Sequence, residues 1–409
     1  MFSSYRRIFD APGAAAFVLA GLVARFPIGM IGVAAVFMIT GAHHSYALAG
    51  ALGATVLAVV AAAGPQLSRL VDRYGQARVG IPAVLVATGG GLAEVLCLQL
   101  HAPTWTLFPT AALSGLGPNV GACSRARWSV LYQGDEDALH SAYALESVLE
   151  ELTFILGPIV ATGLATGLFP SAGYLTGTLV LLGGVLLFCA QRRTEPPVQA
   201  PGPGARQGSA LRSTALRVLV LVLLATGGVF GVMEITTIGF ADAHHHKAAA
   251  SLVLSCYALG SGVAGFAFGT WKPRSSPARR LPLCLLAMTV TLAPLPFVGS
   301  LPVLAGSLLV AGLATAPTLV TSMALVRECV PSGQLTEGFS WAVTGLLLGV
   351  SAGAAAGGWA VQHLGAGAGF RIPVAMGATA LLLTLLGRRR LAPAPIEPFE
   401  PSGEFVQVQ

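Results

Sequence analysis

Apolar stretches of about 18 to 28 residues recur along the chain, separated by short polar segments. A helix needs about 20 apolar residues to cross the roughly 30 Å hydrocarbon core of a bilayer. The pattern therefore predicts twelve membrane-spanning helices, six on each side of a central polar segment. They are Ala14–Gly41, Ala47–Leu70, Val79–Leu100, Thr104–Arg127, Ser141–Leu168, Ala172–Ala190, Ala215–Phe240, Ala249–Trp271, Leu281–Val298, Pro302–Arg327, Glu337–Val361 and Phe370–Gly387.

The predicted architecture is an all-α membrane protein built from two six-helix bundles, at residues 1–190 and 215–390. Residues 191–214 between them are rich in proline and glycine, which predicts a flexible linker on the cytoplasmic side. Four prolines follow Arg390, so residues 391–409 are predicted to be a disordered tail.

The two halves of the chain carry weakly matching residues. Arg73 matches Arg274 at an offset of 201 residues, and Glu146 matches Glu337 at an offset of 191. We interpret the matches as an internal repeat. Two such bundles are expected to be related by an axis along the membrane normal, with a binding site between them near the mid-plane.

Composition excludes several classes of protein. Of 409 residues, 54% are hydrophobic and only 10% are charged, whereas a soluble domain has about 25% charged residues. The basic residues are scattered without interleaved aromatic residues, which argues against nucleic-acid binding. No phosphate-binding loop and no cluster of metal ligands is found, so we expect no enzyme activity, no cofactor and no metal site.

The basic residues also predict the orientation in the membrane. If the N-terminus is cytoplasmic, all of the 23 lysines and arginines except Arg25, Lys247 and Arg371 fall in inner loops or at inner helix ends. Cytoplasmic loops carry an excess of Lys and Arg. We therefore predict a multi-pass protein of the cell membrane with both termini in the cytoplasm.

Arg25 is the only charged residue in the first apolar stretch. An arginine at mid-membrane costs roughly 3 kcal/mol, and it cannot lose its proton to avoid that cost. We expect Arg25 to face a polar, water-accessible interior with a carboxylate nearby. Two interpretations remain open, a role in a transport cavity and a structural link between two helices.

Three acidic residues begin the fifth predicted helix. Glu146 and Glu150 are four residues apart and so share one helix face. Glu146 is expected near the inner surface, either solvated or paired with Arg125 or Arg127. Glu150 is expected in a charge cluster with one of these arginines, and a proton-relay role for Glu150 or Glu151 is the alternative.

Two further polar residues are predicted at membrane depth. Glu94 lies in the outer part of the third helix and is expected either to face the cavity or to reach the outer interface. Asn119 follows Pro118 in the fourth helix. Its side chain is expected to bond either a substrate or the backbone groups that the proline leaves free.

The loop between the second and third predicted helices carries a recognisable motif. Asp72, Arg73, Gly75 and Arg78 resemble the G-x-x-x-D-R-x-G-R-R signature of the major facilitator superfamily, although Ser68 stands where that signature has glycine. The resemblance implies two bundles that rock to expose a central cavity to each side in turn.

The same resemblance implies a gate at the inner side. Asp72 is expected to face a helix N-terminus or an arginine and so to hold the two bundles together. The other residues assigned to this gate are Arg73, Gly75, Arg78, Arg125, Arg127 and Glu146. The first and seventh helices of the superfamily line the cavity, which makes Glu234 of the seventh helix the expected partner of Arg25.

Gly157-Pro158 on the fifth helix is similar to the signature of drug/proton antiporters within the superfamily, although Gly163 lies one residue late. The similarity implies proton-coupled export of a small apolar compound, with Glu234 as proton carrier. The alternative is proton-coupled or facilitated uptake of a small nutrient or organic anion, with Arg25 as the anion site. The expected partners are the substrate, protons and the lipid bilayer, and the protein is expected to be a monomer.

Overall fold

The computed structural model describes residues 2–43, 45–198, 209–246, 249–271 and 274–391, and these ranges contain helices and no strand. The helices of the first half are α1 Phe2–Ile8, α2 Ala14–His43, α3 Tyr46–Tyr74, α4 Gln76–Gln99, α5 Leu107–Ser114, α6 Val120–Leu131, α7 Glu136–Gly167 and α8 Ala172–Ala190. Those of the second half are α9 Thr214–Ala243, α10 Ala249–Thr270, α11 Pro277–Leu292, α12 Leu301–Gly312, α13 Thr315–Cys329, α14 Leu335–Leu364, α15 Ala366–Gly369, α16 Arg371–Leu386 and α17 Arg388–Leu391. The predicted all-α membrane fold is confirmed.

Eleven helical stretches among the described residues are long and apolar enough to cross a membrane. The fourth predicted stretch, Thr104–Arg127, is not among these eleven, because it is divided between α5 and α6. Residues 115–119 between them contain Gly117-Pro118. Proline has no amide hydrogen and disfavours a helical conformation in the residue before it, which explains the break. The fourth crossing is therefore a pair of short helices.

The two halves repeat with a nearly constant offset. Helices α2 and α9 both have 30 residues and begin 200 residues apart, and α7 and α14 begin 199 apart. The tenth crossing is also broken, between α12 and α13, as the fourth is. The predicted match of Glu146 with Glu337, at an offset of 191 residues, is wrong. Glu146 is the eleventh residue of α7, whereas Glu337 is the third residue of α14.

Glycines allow the helices of each half to approach closely. In the first half, a Cβ atom on Gly157 of α7 would lie 2.6 Å from the carbonyl carbon of Gly29 on α2. In the second half, a Cβ on Gly231 of α9 would overlap the carbonyl oxygen of Val350 on α14. In lipid, helices associate largely through van der Waals packing, so these glycines allow the backbones to touch.

The two halves are hydrogen-bonded to each other at the end that carries the turn between α3 and α4, which we call the inner side. Ser141 of α7 donates to the carbonyl oxygen of Gly269 on α10 at 2.7 Å. Tyr5 of α1 donates to the carbonyl oxygen of Phe266 at 3.0 Å, and its ring stacks on the Phe266 ring. Burial raises the pKa of Tyr5 to about 12, so this hydroxyl stays protonated near neutral pH.

The described start of the predicted linker is held against the first half. A carboxylate oxygen of Glu195 accepts the amide hydrogen of Ala77, in the first turn of α4, at 3.0 Å. Residues 199–208 of the linker and 392–409 of the tail lie outside the described residues, so their predicted flexibility stays a prediction.

Candidate functional site

Arg25 lies near the middle of α2, as its twelfth residue of 30, and only 3% of the residue is exposed. Its Nη1 atom pairs with the carboxylate of Glu146 on α7, and its Nε donates to the carbonyl oxygen of Gly21 at 3.1 Å. The predicted pairing with Glu234 is wrong. Glu234 is exposed on α9, whereas the guanidinium of Arg25 is enclosed within the first half.

Glu146 is completely buried and accepts hydrogen bonds from three side chains. Besides Arg25, Ser124 donates through Oγ at 2.7 Å and Trp128 through Nε1 at 2.8 Å. The predicted solvation of Glu146 and its predicted pairing with Arg125 or Arg127 are therefore wrong, because its ion-pair partner among the described residues is Arg25. A buried carboxylate needs such donors, because an unpaired charge in a dry interior costs several kcal/mol.

A second ion pair adjoins the first. Nη2 of Arg125 donates to both carboxylate oxygens of Glu150 at 2.8 Å, which confirms the predicted pairing. Nη1 of Arg25 lies 4.0 Å from the same carboxylate. We call Arg25, Arg125, Glu146 and Glu150 the central charge cluster. Of the two acidic side chains, Glu150 is 32% exposed and Glu146 is fully buried, so Glu150 is the accessible carboxylate of the cluster.

The N-terminus of α6 lies beside this cluster. Asn119 caps the helix, because its side-chain oxygen accepts the amide hydrogen of Ala122 at 3.0 Å. Of the two predicted roles for Asn119, the structure shows the bond to the backbone. A Cβ atom on Gly121 would lie 3.3 Å from both Nη1 of Arg125 and a carboxylate oxygen of Glu150. The helix start and the charge cluster therefore meet at Gly121.

Glu151 points to the other half of the molecule. Ser261 of α10 donates its hydroxyl hydrogen to the Glu151 carboxylate at 2.6 Å. Adjacent residues on a helix are about 100° apart, which places Glu150 and Glu151 on different faces of α7. Thus α7 presents one carboxylate to the charge cluster and the next to the contact between the halves.

Glu94 belongs to a separate pair inside the first half. It is 2% exposed and accepts a hydrogen bond from the hydroxyl of Tyr174 on α8 at 2.7 Å. Both predicted positions, the cavity and the outer interface, are wrong because the side chain lies between α4 and α8. We do not include Glu94 in the central charge cluster.

Asp72 makes the contact expected of it at the inner side. Its carboxylate accepts the backbone amide hydrogens of Thr336 at 3.1 Å and Glu337 at 2.8 Å. These amides belong to the first turn of α14, where helix N–H groups have no intrahelical acceptor. Asp72 thus caps a helix of the opposite half, and its charge is attracted by the helix dipole.

The other loop residues of the motif act locally. Gly75 has φ +97°, a conformation that side chains rarely adopt, and its amide ends α3 by donating to Val71 at 2.8 Å. The Arg73 guanidinium lies over the ring of Tyr74, 5.2 Å from its centroid. Arg78 is exposed.

Arg127 does not contact the second half through any described hydrogen bond. Its guanidinium donates to side-chain oxygens of Gln76 and Thr194 at 2.8 Å and to the Phe188 carbonyl at 3.1 Å. It therefore ties together the inner ends of α4, α6 and α8. Its assignment to the gate is wrong, as are those of Arg125 and Glu146, because the described hydrogen bonds of Arg127 and the described ion pairs of the other two stay within the first half.

Several functional side chains were missed in the sequence. Ser124, Trp128 and Ser261 donate to the buried glutamates, and Tyr174 donates to Glu94. Tyr174 and Ser261 lie in apolar stretches, whereas Ser124 and Trp128 flank Arg125 and Arg127, and in both settings a hydroxyl or an indole is unremarkable. No spacing rule distinguishes them, because their partners lie on other helices.

The sequence matches the family profile described as Major Facilitator Superfamily over residues 17–245 and 235–407, which together cover most of the chain. The chain belongs to the major facilitator superfamily. Its family and its membrane-spanning helices make it a multi-pass membrane transporter of small molecules rather than an enzyme. A comparison with curated proteins found no match.

Solved structures share the fold of this superfamily member. The human organic anion transporter MFSD10 (TETRAN) is 15% identical with a TM-score of 0.69, covering 91% of this chain and 99% of that one. A bacterial homologue of the iron transporter ferroportin, in an outward-facing state, is 14% identical with a TM-score of 0.71, covering 91% and 98%. The transporter FucP in the outward conformation is 16% identical with a TM-score of 0.63, covering 90% and 97%.

Proposed function

We propose that this protein is a proton-coupled secondary transporter that moves a small molecule by alternating access. The observation that carries the proposal is the position of Glu150. It is the fifteenth residue of the 32 in α7, it is bonded to a buried arginine, and it is 32% exposed. A carboxylate at this depth that is both accessible and paired can exchange a proton and pass the change in charge to its partner.

Glu234 is the second proposed proton site. It lies in α9 one helical turn beyond Phe230, whose ring packs against Tyr257 of α10. The side chain is exposed, and no described residue forms a hydrogen bond or an ion pair with it. A charge at this depth is stable only toward water. We therefore propose that Glu234 faces the aqueous cleft between the halves.

The inner side of the protein is closed in this conformation, and we propose that Asp72 is the latch that keeps it closed. Opening this side separates α3 from α14 and removes the carboxylate from the first turn of α14. The cost of that separation sets the balance between inward-facing and outward-facing states.

The remaining features of the proposal come from the sequence. The distribution of basic residues supports cytoplasmic termini in the cell membrane. We expect a monomer that uses the proton gradient and no cofactor.

Two directions of transport are candidates. Export of a small apolar compound in exchange for protons is favoured by the similarity of Gly157-Pro158 to drug/proton antiporters. Uptake of a small organic anion is favoured by Arg25 and Arg125, because three of their buried nitrogens have no hydrogen-bond partner. One of the similar structures is described as an organic anion transporter.

The test begins with a thermal-shift screen of the purified protein against a compound library at two pH values, because a ligand stabilises the folded state by mass action. A stabilising compound is then followed in proteoliposomes with an imposed pH gradient. The wild type should accumulate it only with the gradient, and the direction of the gradient that drives accumulation separates export from uptake.

Two variants locate the proton sites in the same assay. Glu150→Gln should abolish gradient-driven accumulation while leaving exchange of substrate across the membrane. Glu328→Gln is the matched control, because Glu328 is an exposed carboxylate at the inner end of α13. Accumulation in Glu150→Gln and Glu234→Gln that equals the wild type would refute proton coupling through these residues.

A further inference from the structure

The start of α6 has the features of an anion site at membrane mid-depth. The first amides of a helix have no intrahelical acceptor, and the helix dipole attracts negative charge to this end. In α6 the Asn119 side chain satisfies only the amide of Ala122. The residues just before the helix, 116–119, are partly exposed. A buried guanidinium, that of Arg125, lies beside this helix start.

Arg125 is 2% exposed, and only its Nη2 atom has a partner. Its Nε and Nη1 atoms are buried without an acceptor. Nη1 faces Gly121, where an added Cβ would lie 3.3 Å from it and 3.3 Å from the Glu150 carboxylate. Leaving a buried charged donor unsatisfied is costly, so Nη1 is suited to an acceptor from outside the chain. In this conformation the Glu150 carboxylate fills the position beside Gly121, and an acceptor can enter only when that carboxylate moves away.

The charges around the site limit when an anion can enter. The charged or titratable side chains near Glu150 and its neighbour Glu151 are Arg25 on α2, Arg125 on α6, Tyr143 and Glu146 on α7, and Tyr257 on α10. Within the cluster, two arginines are balanced by two glutamates. A further negative charge therefore needs one carboxylate to become neutral. Glu146 is fully buried, whereas Glu150 is accessible.

We propose that the space between Gly121, Arg125 and Glu150 binds the carboxylate group of a small organic anion, and that Glu150 takes up a proton when the anion binds. The proton neutralises Glu150 and weakens its bond to Nη2 of Arg125. The guanidinium is then free to donate to the anion beside the N-terminus of α6. This inference rests on the proposed function and specifies its substrate class. Proton and anion occupy the site together, so they are transported in the same direction.

The first test measures binding of benzoate to the purified full chain by thermal shift, with benzamide as its neutral counterpart. If one proton is taken up per anion, the affinity for benzoate should be up to about 100-fold higher at pH 5.5 than at about pH 7.5. Benzamide should give no shift. An absent benzoate shift, or one equal at both pH values, would overturn the proposal.

Two variants test separately the proton uptake by Glu150 and the position of the anion beside Gly121. Glu150→Gln should bind benzoate equally well at both pH values, because the amide mimics the protonated acid. Gly121→Ala should lose benzoate binding, because the new methyl group lies between Arg125 and Glu150. Gly163→Ala is the matched control on α7, since a Cβ there meets no atom within 4 Å. Binding that survives in Gly121→Ala places the anion elsewhere and overturns the site.

A measurement on the wild type is independent of how the variants fold. Mixing the protein with benzoate in weakly buffered solution should remove about one proton from solution per anion bound. No proton uptake on binding would refute the role of Glu150. Benzoate binding without gradient-driven flux in proteoliposomes would leave the site intact and reject the proposed function. Gradient-driven flux of another compound without carboxylate binding would reject the site alone.

Discussion

Replacement of Asp72 by asparagine should weaken the closed inner side without unfolding the protein. In the wild type, one carboxylate oxygen accepts the Thr336 amide hydrogen at 3.1 Å and the other accepts that of Glu337 at 2.8 Å. Asparagine keeps one acceptor oxygen and loses the negative charge. The loss of one charge-assisted bond and of the interaction with the α14 dipole amounts to about 1–3 kcal/mol. The ratio of inner-open to inner-closed molecules should therefore rise about 5- to 150-fold.

Hydrogen–deuterium exchange can detect this shift without labels. If the halves separate as units, deuterium uptake should increase in the inner part of α10, residues 262–270, as well as in the first turn of α14. The α10 segment is informative because it contacts α7 and does not bond to Asp72. Asp242→Asn, at an exposed position near the outer end of α9, is the matched control and should leave both segments unchanged.

A change limited to one helix would contradict this expectation. Faster exchange confined to the first turn of α14, with α10 unchanged, would mean that Asp72 only caps a helix. The two halves would then be held by other contacts, such as the bond from Ser141 to Gly269.

Three further predictions concern stability, each measured by thermal or denaturant unfolding in detergent. Glu146→Gln should destabilise the protein by about 3–5 kcal/mol because it leaves Arg25 buried without its anion; a loss no larger than that of Glu328→Gln would contradict this. Gly157→Ala should cost about 1–3 kcal/mol through overpacking against α2, and an unchanged midpoint would show that the helices can separate freely. Tyr174→Phe should cost about 1–3 kcal/mol because Glu94 loses its described donor, whereas a neutral effect would imply that water replaces the hydroxyl.

The sequence predicted the crossings well, because the length of an apolar stretch is a direct consequence of membrane thickness. A carboxylate beside Arg25 was correctly expected, since a lone guanidinium cannot face lipid cheaply. The expected water-accessible position was wrong, because only 3% of the residue is exposed. The shared face of Glu146 and Glu150 followed from helical spacing, and both residues do join one cluster.

The partners could not be predicted, because spacing fixes the direction of a side chain relative to its own helix only. Arg25 pairs within its own half with Glu146 and not across the cleft with Glu234. Glu94 likewise turned inward to Tyr174. The fourth crossing was predicted as one unbroken helix, although Pro118 lies within it. Its break, and the helix start next to Arg125 that results, depend on the packing of α2, α6 and α7.

The glycine contacts between α2 and α7, and between α9 and α14, have a consequence for how the protein can evolve. Where two backbones touch, no side chain is left to adjust, so each six-helix unit tolerates little internal deformation. Motion is then confined to the surface between the units. Residues lining that surface can be exchanged without disturbing either unit, which leaves the choice of cargo free to diverge while the framework stays fixed.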